Sequence, residues 1–594
     1  FLPPGPAARS QRPIRPTNLP GIANLIRTLF HSAAVAALAV CASSRAPISE
    51  STLYHGARFV LNDGRGGTAT ALLERDGLVV AAGTLEDLAQ RPEAQGATRV
   101  DLRGACVVPG LQDAHGHLEG FGAARDQLDL VGVRSFDELV ARVAAAAAKL
   151  PAGTWVRGRG WDQNLWEGLE FPHHLLLSTA TPNHPVFLER VDGHAALCNE
   201  AALVLADLDG DLDPEPKVQG GRVYLDEDGR ATGILIDAAT QLVERVIPKP
   251  SLELARQRFL AAQEALLSVG LTCVHDMGTS RPMLALLQDL RASGELKLRV
   301  VAYLDGMGAL DKKSIAGFPL APDPRDMLSV PGVKLYADGA LGSRGAALLE
   351  PYSDAPGEKG LLLLTEEELS TRLALVTRAG LQPAVHAIGD RANRIVLDAF
   401  ERLSIAVPGF RDLRPRIEHA QVVAPKDWER FPALGVVPSM QPTHATSDMA
   451  WVDERLGPER TRGAYAWRGL APELGRLALG SDFPVESPNP LEGLFAARTR
   501  TKAGGKPEEA LLPEQRLDGA AALAGFTSGA AWAARQDDRR GRLLPGYACD
   551  LTVLGIDPTT CDPAELLKDT VRMTVVNGRV VWRAPANTPD ARGG

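Results

Sequence analysis

Val107-Val-Pro-Gly-Leu-Gln-Asp-Ala-His-Gly-His-Leu118 is the stretch whose reading decides the fold. Its apolar start reads as a buried strand, and the strand runs out in two histidines, His115 and His117. Side chains alternate across a strand, so residues two apart share a face. Both imidazoles are therefore expected to leave the strand's C-terminal end on one side, where one strand can offer two nitrogen ligands to one metal ion. With 12 histidines in 594 residues, chance alone supplies an H-x-H in roughly one such chain in four. The motif needs support from the rest of the chain.

That support comes from seven later segments. Residues 270–276, 297–304, 331–338, 381–386, 414–419, 435–441 and 476–482 each read as a short apolar strand. Helical text separates most of them, as at 252–269, 366–380 and 393–403. With the first strand they make eight β/α units, the count of a closed (β/α)8 TIM-like barrel of the α/β class. The count requires residues about 145–250 to be an insertion after the first strand, with strands of its own at 154–160 and 185–191. His115, His117, Lys334, His386, His419 and Asp482 all fall at or near strand C-terminal ends. That is the face on which barrel active sites form. Nitrogen donors with a carboxylate suit zinc or a similar divalent ion, and one or two ions are expected.

The two ends of the chain read alike. Residues 51–105 are short strands and turns, and 550–582 repeats that texture, closing on a hairpin with Asn577-Gly578 at its turn. One small sheet domain built from 50–105 and 540–585 is expected to flank a barrel of 106–539. Residues 1–49 read as a leader. Residues 1–20 hold six prolines, and Arg27 precedes an apolar run to Cys41 of secretory length. An exported protein (periplasmic, secreted or lipid-anchored) is expected from this segment, with a cytoplasmic one as the alternative. Membrane anchoring requires the Leu38-to-Cys41 text to act as a lipoprotein signal, and Val40 departs from the small residue usual before the cysteine.

Composition excludes several classes. A net charge of −9 and pI near 5.8 argue against a nucleic-acid partner, which needs a basic face. The six cysteines are scattered without a C-x-x-C pair, so neither a zinc ribbon nor a redox motif is present. Gly342-Ser-Arg-Gly345 has the wrong spacing for the G-x-S-x-G elbow of a serine hydrolase. No G-x-G-x-x-G follows a strand, so no dinucleotide site is expected.

Six segments carry a resemblance: P-G-L-Q-D-A-H-G-H-L, R-V-D-G-H at 190–194, V-K-L-Y-A-D-G-A-L-G-S-R at 333–344, H-A-I-G-D at 386–390, I-E-H-A at 417–420 and G-S-D-F-P-V at 480–485. Over residues 50–585 the chain resembles the amidohydrolase superfamily, in the family 3 branch that contains N-substituted formamide deformylase-like proteins. The resemblance implies a β-sandwich from both termini beside a metal-bearing barrel. It implies metal ligands at His115, His117, Lys334, His386, His419 and Asp482, with Lys334 converted by CO2 to an anionic carbamate. Such a step requires a neutral amine, which burial favours. It further implies hydrolysis of a non-peptide C–N bond in a small amide, N-acyl or formamide-type molecule by metal-activated water, with Asp482 shuttling the proton. Arg190, Asp192 and His194, in the insertion, are candidates for substrate contact. A deaminase of the same superfamily and a non-catalytic, metal-binding regulatory protein are the alternatives. The partner expected is a small-molecule substrate, and a homo-oligomer is compatible.

Overall fold

The computed structural model describes residues 51–585 apart from 168–169, 211, 213–217 and 321–326. The leader-like segment lies outside the described residues. Among those described, no helix is long and apolar enough to cross a membrane.

Eight strands form a parallel, nearly closed barrel. In chain order they are β1 (Leu111–Gly116), β2 (Leu271–Thr279), β3 (Arg299–Asp305), β4 (Leu328–Tyr336), β5 (Gln382–Ala387), β6 (Arg416–His419), β7 (Val437–Met440) and β8 (Ala478–Leu479). Each pairs with its successor, and β2 pairs with β1. The strands are almost wholly buried on both faces, as a sheet covered by helices requires. The seam closes beyond the short β8. Asp482 N–H donates to His115 O at 2.7 Å, and His117 N–H donates to Phe483 O at 2.9 Å. Asp113 reinforces it from the side by accepting from His115 N–H (3.0 Å) and from the Ser481 hydroxyl (2.6 Å).

The stretch from Val107 to Leu118, read above as one strand, is two. Cys106–Pro109 belongs to the terminal sheet and Leu111–Gly116 to the barrel. Gly110 is the joint, and its lack of a side chain is required. A Cβ there would stand 2.3 Å from Thr272 Oγ1 and 2.9 Å from Asp550 Cβ. His117 falls past the strand and caps the helix Leu118–Ala124.

Strands from both chain ends hydrogen-bond into one eight-stranded sheet, where the sequence predicts a sandwich. Cys106–Pro109 pairs with Ser51–Val60 on one side and with Leu551–Leu554 on the other. Alternation sorts the side chains. Val107 and Val553 share a core with Phe59 and Leu72, while Cys106, Val108 and Leu554 pack into the core of the barrel. The closing hairpin turns at Asn577 and Gly578, both with positive φ (51° and 70°), as a tight two-residue turn requires. Sheet and barrel form one compact unit. Arg299 of β3, fully buried, spans the two by a bidentate pair to Asp550 (2.7 and 3.0 Å).

The insertion carries a six-stranded sheet in the order Gly221–Leu225, Ala231–Asp237, Ala195–Cys198, Val186–Arg190, Val156–Trp161, Leu128–Asp129. Its last-named edge strand precedes residue 145, so the inserted layer begins earlier in the chain than the sequence predicts. Two residues are too few to give a period-two signal.

Removing one partner of a buried ion pair is costly. Asp550→Ala is expected to destabilise the protein by about 3–5 kcal/mol in a denaturant titration. A loss below about 1 kcal/mol would place the sheet–barrel bond among surface-type pairs.

Candidate metal centre

At the C-terminal mouth, the seam that closes the barrel also assembles the site. His115, His117 and Asp482 form one group of candidate ligand atoms and His419, His444 and Asp482 another, each with its atoms within 4.8 Å of one another. Asp482 belongs to both. Its Oδ1 lies 3.0 Å from His117 Nε2 and 3.4 Å from His115 Nε2, and its Oδ2 lies 3.6 Å from His444 Nε2. Asp482 and His419 hold left-handed backbone, with φ of 62° and 71°. Such φ values are uncommon outside glycine and cost of order 1–3 kcal/mol each, so they persist where the surroundings impose them. Period-two alternation from Glu418 would turn His419 out of the barrel, and the positive φ turns it back to the mouth.

Two second nitrogens are held. His115 Nδ1 lies 2.7 Å from Glu418 Oε2, and His419 Nδ1 lies 2.8 Å from Gln441 Oε1. Both acceptors are oxygens, so each ring carries its proton on Nδ1 and leaves Nε2 as a lone pair. That is the arrangement by which outer partners set the tautomer of ligating histidines. Glu418 is itself clamped by Arg416, at 2.7 and 2.9 Å. Arg416 also reaches His275 Nδ1 (2.9 Å), the Tyr303 hydroxyl (3.0 Å), Ala114 O (2.8 Å) and Ser439 Oγ (2.9 Å). Every member of this network is buried.

The electrostatics agree with a cation in the mouth. Burial pushes His115, His386 and His419 well below the usual imidazole range, which keeps them neutral, the form that ligates. Burial works to raise the Asp482 carboxyl, and positive charge placed beside it acts the other way. The buried atoms Asp482 Oδ1 and His444 Nε2 have no hydrogen-bond partner among the described residues. Buried acceptors left without a donor, as these two are, are costly unless a cation satisfies them. The donor set therefore fits a divalent ion, held by His115, His117 and Asp482, with His419 and His444 on the far side of the shared carboxylate.

Lys334 and His386 stand beside these groups. Lys334 Nζ lies 3.3 Å from His115 Nε2 and 4.7 Å from the centroid of the Tyr336 ring. Burial brings its ammonium down to about 8. His386 packs against His419, with ring centroids 4.7 Å apart, and its Nε2 lies 3.4 Å from Gly339 O. It joins neither group of candidate ligand atoms among the described residues.

Two cavities, of 570 and 400 Å³, meet at this cluster and share a wall of Asp192, His194, His386, His419, Asp482 and Val485. His194 lies 2.6 Å through Nδ1 from Asp237 Oδ1. Burial opposes its charge, but that bond raises its pKa overall. Arg190 is 1% exposed, and its guanidinium is engaged by Gln163 Oε1 (2.7 Å), Asp192 Oδ2 (2.5 Å) and Asp162. Of the three insertion candidates, Asp192 and His194 face both cavities. Arg190 lines the larger one with its donors already committed.

The sequence reading passed over Glu418, Arg416, His275, Gln441 and His444. Glu418 had a signal, since it precedes His419 in I-E-H-A. His444 sits on the helix Pro442–Asp448, away from any strand end, and had none.

A parallel barrel with a histidine–aspartate cluster at its C-terminal mouth defines a class of barrel hydrolase. The chain belongs to the amidohydrolase family, whose model matches residues 98–582. It is 34% identical over 535 residues to Protein LONG AFTER FAR-RED 3 of Arabidopsis thaliana, covering 86% of this chain and 88% of that one. It is 31% identical over 549 residues to the amidohydrolase YtcJ of Bacillus subtilis (89% and 99% covered). It is 26% identical over 531 residues to the N-substituted formamide deformylase of Arthrobacter pascens (87% and 95%). Among solved structures, an uncharacterized metal-dependent hydrolase from Pyrococcus horikoshii OT3 superposes with a TM-score of 0.70 at 31% identity, covering 86% of this chain and 99% of that one.

Loss of an outer partner of a ligating histidine typically costs 10–100-fold in metal affinity. Glu418→Gln is expected to weaken divalent-ion binding by roughly that factor, measured by competition with a chromogenic chelator. Unchanged affinity would detach Glu418 from the centre.

Proposed function

We propose that this member of the amidohydrolase family is a metal-dependent hydrolase cleaving a carbon–nitrogen bond other than a peptide bond in a small amide, N-acyl or formamide-type substrate. The observation that carries the reading is the single carboxylate, Asp482, shared by two groups of histidines where two cavities meet. The name of the Arthrobacter relative, an N-substituted formamide deformylase, supports the bond type. The larger cavity, 570 Å³, has the size of a small-molecule site.

A divalent ion held here, zinc by the nitrogen-rich donor set, supplies a Lewis acid for the substrate carbonyl and a more acidic water. The chain's own residues do the rest. Glu418 fixes His115 with Nε2 turned to the mouth. Asp482 takes the proton of the attacking water on its unpaired Oδ1 and returns it to the departing nitrogen, as a positioned acid–base group. Held by Asp237, His194 keeps a proton on the nitrogen opposite that bond and from it donates a hydrogen bond to the substrate oxygen.

A carbamate on Lys334 is part of the proposal. CO2 adds to a neutral amine, and an ammonium brought down to about 8 supplies that form far more readily than an exposed lysine. No carboxylate lies within ion-pair distance of Lys334 among the described residues, and the neighbour of its nitrogen is the neutral His115 Nε2 at 3.3 Å. Export of the chain is proposed on the sequence of residues 27–41 alone.

A screen over formamides, N-acyl amino acids, cyclic imides and lactones with zinc added tests the reading. Chelation should abolish turnover and zinc should restore it. Release of a substituted amine marks hydrolysis of the proposed kind, whereas free ammonia marks a deaminase. Asp482→Asn keeps the size but not the proton acceptor, so kcat should fall by roughly 10²–10⁴-fold with KM changing far less. Normal turnover by a metal-loaded Asp482→Asn would move the shuttle to another residue. Lys334→Ala should lose metal first, with partial recovery in the presence of a short carboxylic acid. Metal content equal to the parent's would sink the carbamate.

A further inference from the structure

Away from Asp482, the larger cavity is acidic. Asp162, Asp192, Asp448, Glu486 and Glu492 line it, against Arg190 and the exposed Lys502. Arg190 is taken by Asp162 and Asp192. Asp448 accepts hydrogen bonds from Gln421 Nε2 (3.0 Å) and the Tyr465 hydroxyl, both neutral donors. Glu486 is bonded by Ser447, again neutral. Among the described residues, neither carboxylate has a lysine or arginine partner. Burial pushes Asp448 up to about 7 and raises Glu486 as well, the response of carboxylates enclosed without a cation.

A second observation is independent of the acids. Thr443 is 9% exposed, lines this cavity, and its buried Oγ1 has no hydrogen-bond partner among the described residues. A buried hydroxyl left unpaired costs about 1–3 kcal/mol, so such groups are normally satisfied by something that occupies the site. Two carboxylates and a hydroxyl together offer mostly acceptor sites, and a group rich in donors and carrying positive charge complements them. His444 lines the same cavity and also belongs to a group of candidate ligand atoms with Asp482. The wall and the centre therefore share one cavity.

We propose that the wall formed by Asp448, Glu486 and Thr443 is a subsite for a protonated amine carried by the substrate. An ammonium has three N–H donors and no acceptor, which matches two carboxylates and one hydroxyl. The proposal deepens the hydrolase reading by naming a substrate group. It rests on that reading for the reaction but not for the binding, so the two fail separately.

The test uses the full-length, zinc-loaded protein. Benzylammonium and the neutral benzyl alcohol are titrated by calorimetry at neutral pH, with benzyltrimethylammonium as a cation that cannot ligate the metal. Benzylammonium should bind roughly 10-fold or more tightly than benzyl alcohol, the worth of one charged hydrogen bond. The quaternary probe should lie between them, because it keeps the charge without N–H donors. In the Asp448→Asn/Glu486→Gln variant the preference should vanish while metal content and melting temperature hold. Thr443→Val, a milder change, should weaken benzylammonium several-fold and leave benzyl alcohol unchanged. Equal binding of the two primary probes, no saturable binding of benzylammonium, or a preference that survives the carboxylate substitutions each overturns the subsite. Hydrolysis of N-benzylformamide is read separately. Its absence with the binding preference intact counts against that substrate and leaves the subsite standing.

Discussion

Two backbone hydrogen bonds hold this molecule's chemistry in place. Asp482 N–H to His115 O and His117 N–H to Phe483 O join the first strand of the barrel to the residues after the last. Some 365 residues of chain separate the partners, so the loop-closure cost of bringing them together falls on the whole barrel. The same bonds set His115, His117 and Asp482 side by side. Closure and assembly of the centre are one event. Gly116 makes the approach possible, since a Cβ there would stand 2.3 Å from the Phe483 ring.

Beneath the centre, the barrel interior is polar. Arg416 is fully buried and distributes its donors among Glu418, His275, Tyr303, Ser439 and a backbone carbonyl. A buried guanidinium is tolerable only when its donors are used and its charge is met, and Glu418 meets it. Glu418 Oε2, already accepting from Arg416, also accepts from His115 Nδ1. The orientation of the imidazole therefore depends on residues on β2, β3, β6 and β7, which is why this layer reads as part of the site rather than as filling.

The barrel was legible because apolar runs punctuated by helices carry a strong period. The six polar residues were legible because each interrupts such a run at its end. His115, His117 and Asp482 come together in one group, and His419 joins Asp482 through a second. His444 was hidden because it enters from a helix turn after β7, where nothing in the local pattern distinguishes a cavity-facing histidine from an exposed one. Arg416 and Glu418 were hidden for the opposite reason. On a strand buried on both faces, hydrophobic period cannot say whether a charged pair faces solvent or a fully enclosed network. The break at Gly110 was hidden too, since two buried strands in succession read as one long apolar run.

The insertion walls the mouth of the barrel. Its sheet supplies Asp192 and His194 to both cavities and Arg190 to the larger. It is joined to the barrel by the buried Arg455, which donates to Asn164 Oδ1 (2.7 Å), and at the surface by the Arg222–Glu358 pair (2.9 Å). The Asp237 carboxylate that orients His194 sits where a Cβ on Gly339 or Gly345 would fall, at 2.3 and 2.6 Å. The loop after β4 is thus shaped around a residue of the insertion. The candidate ligand atoms come from the ends of the barrel strands and from the helix after β7, and the inserted layer adds the cavity walls beside them.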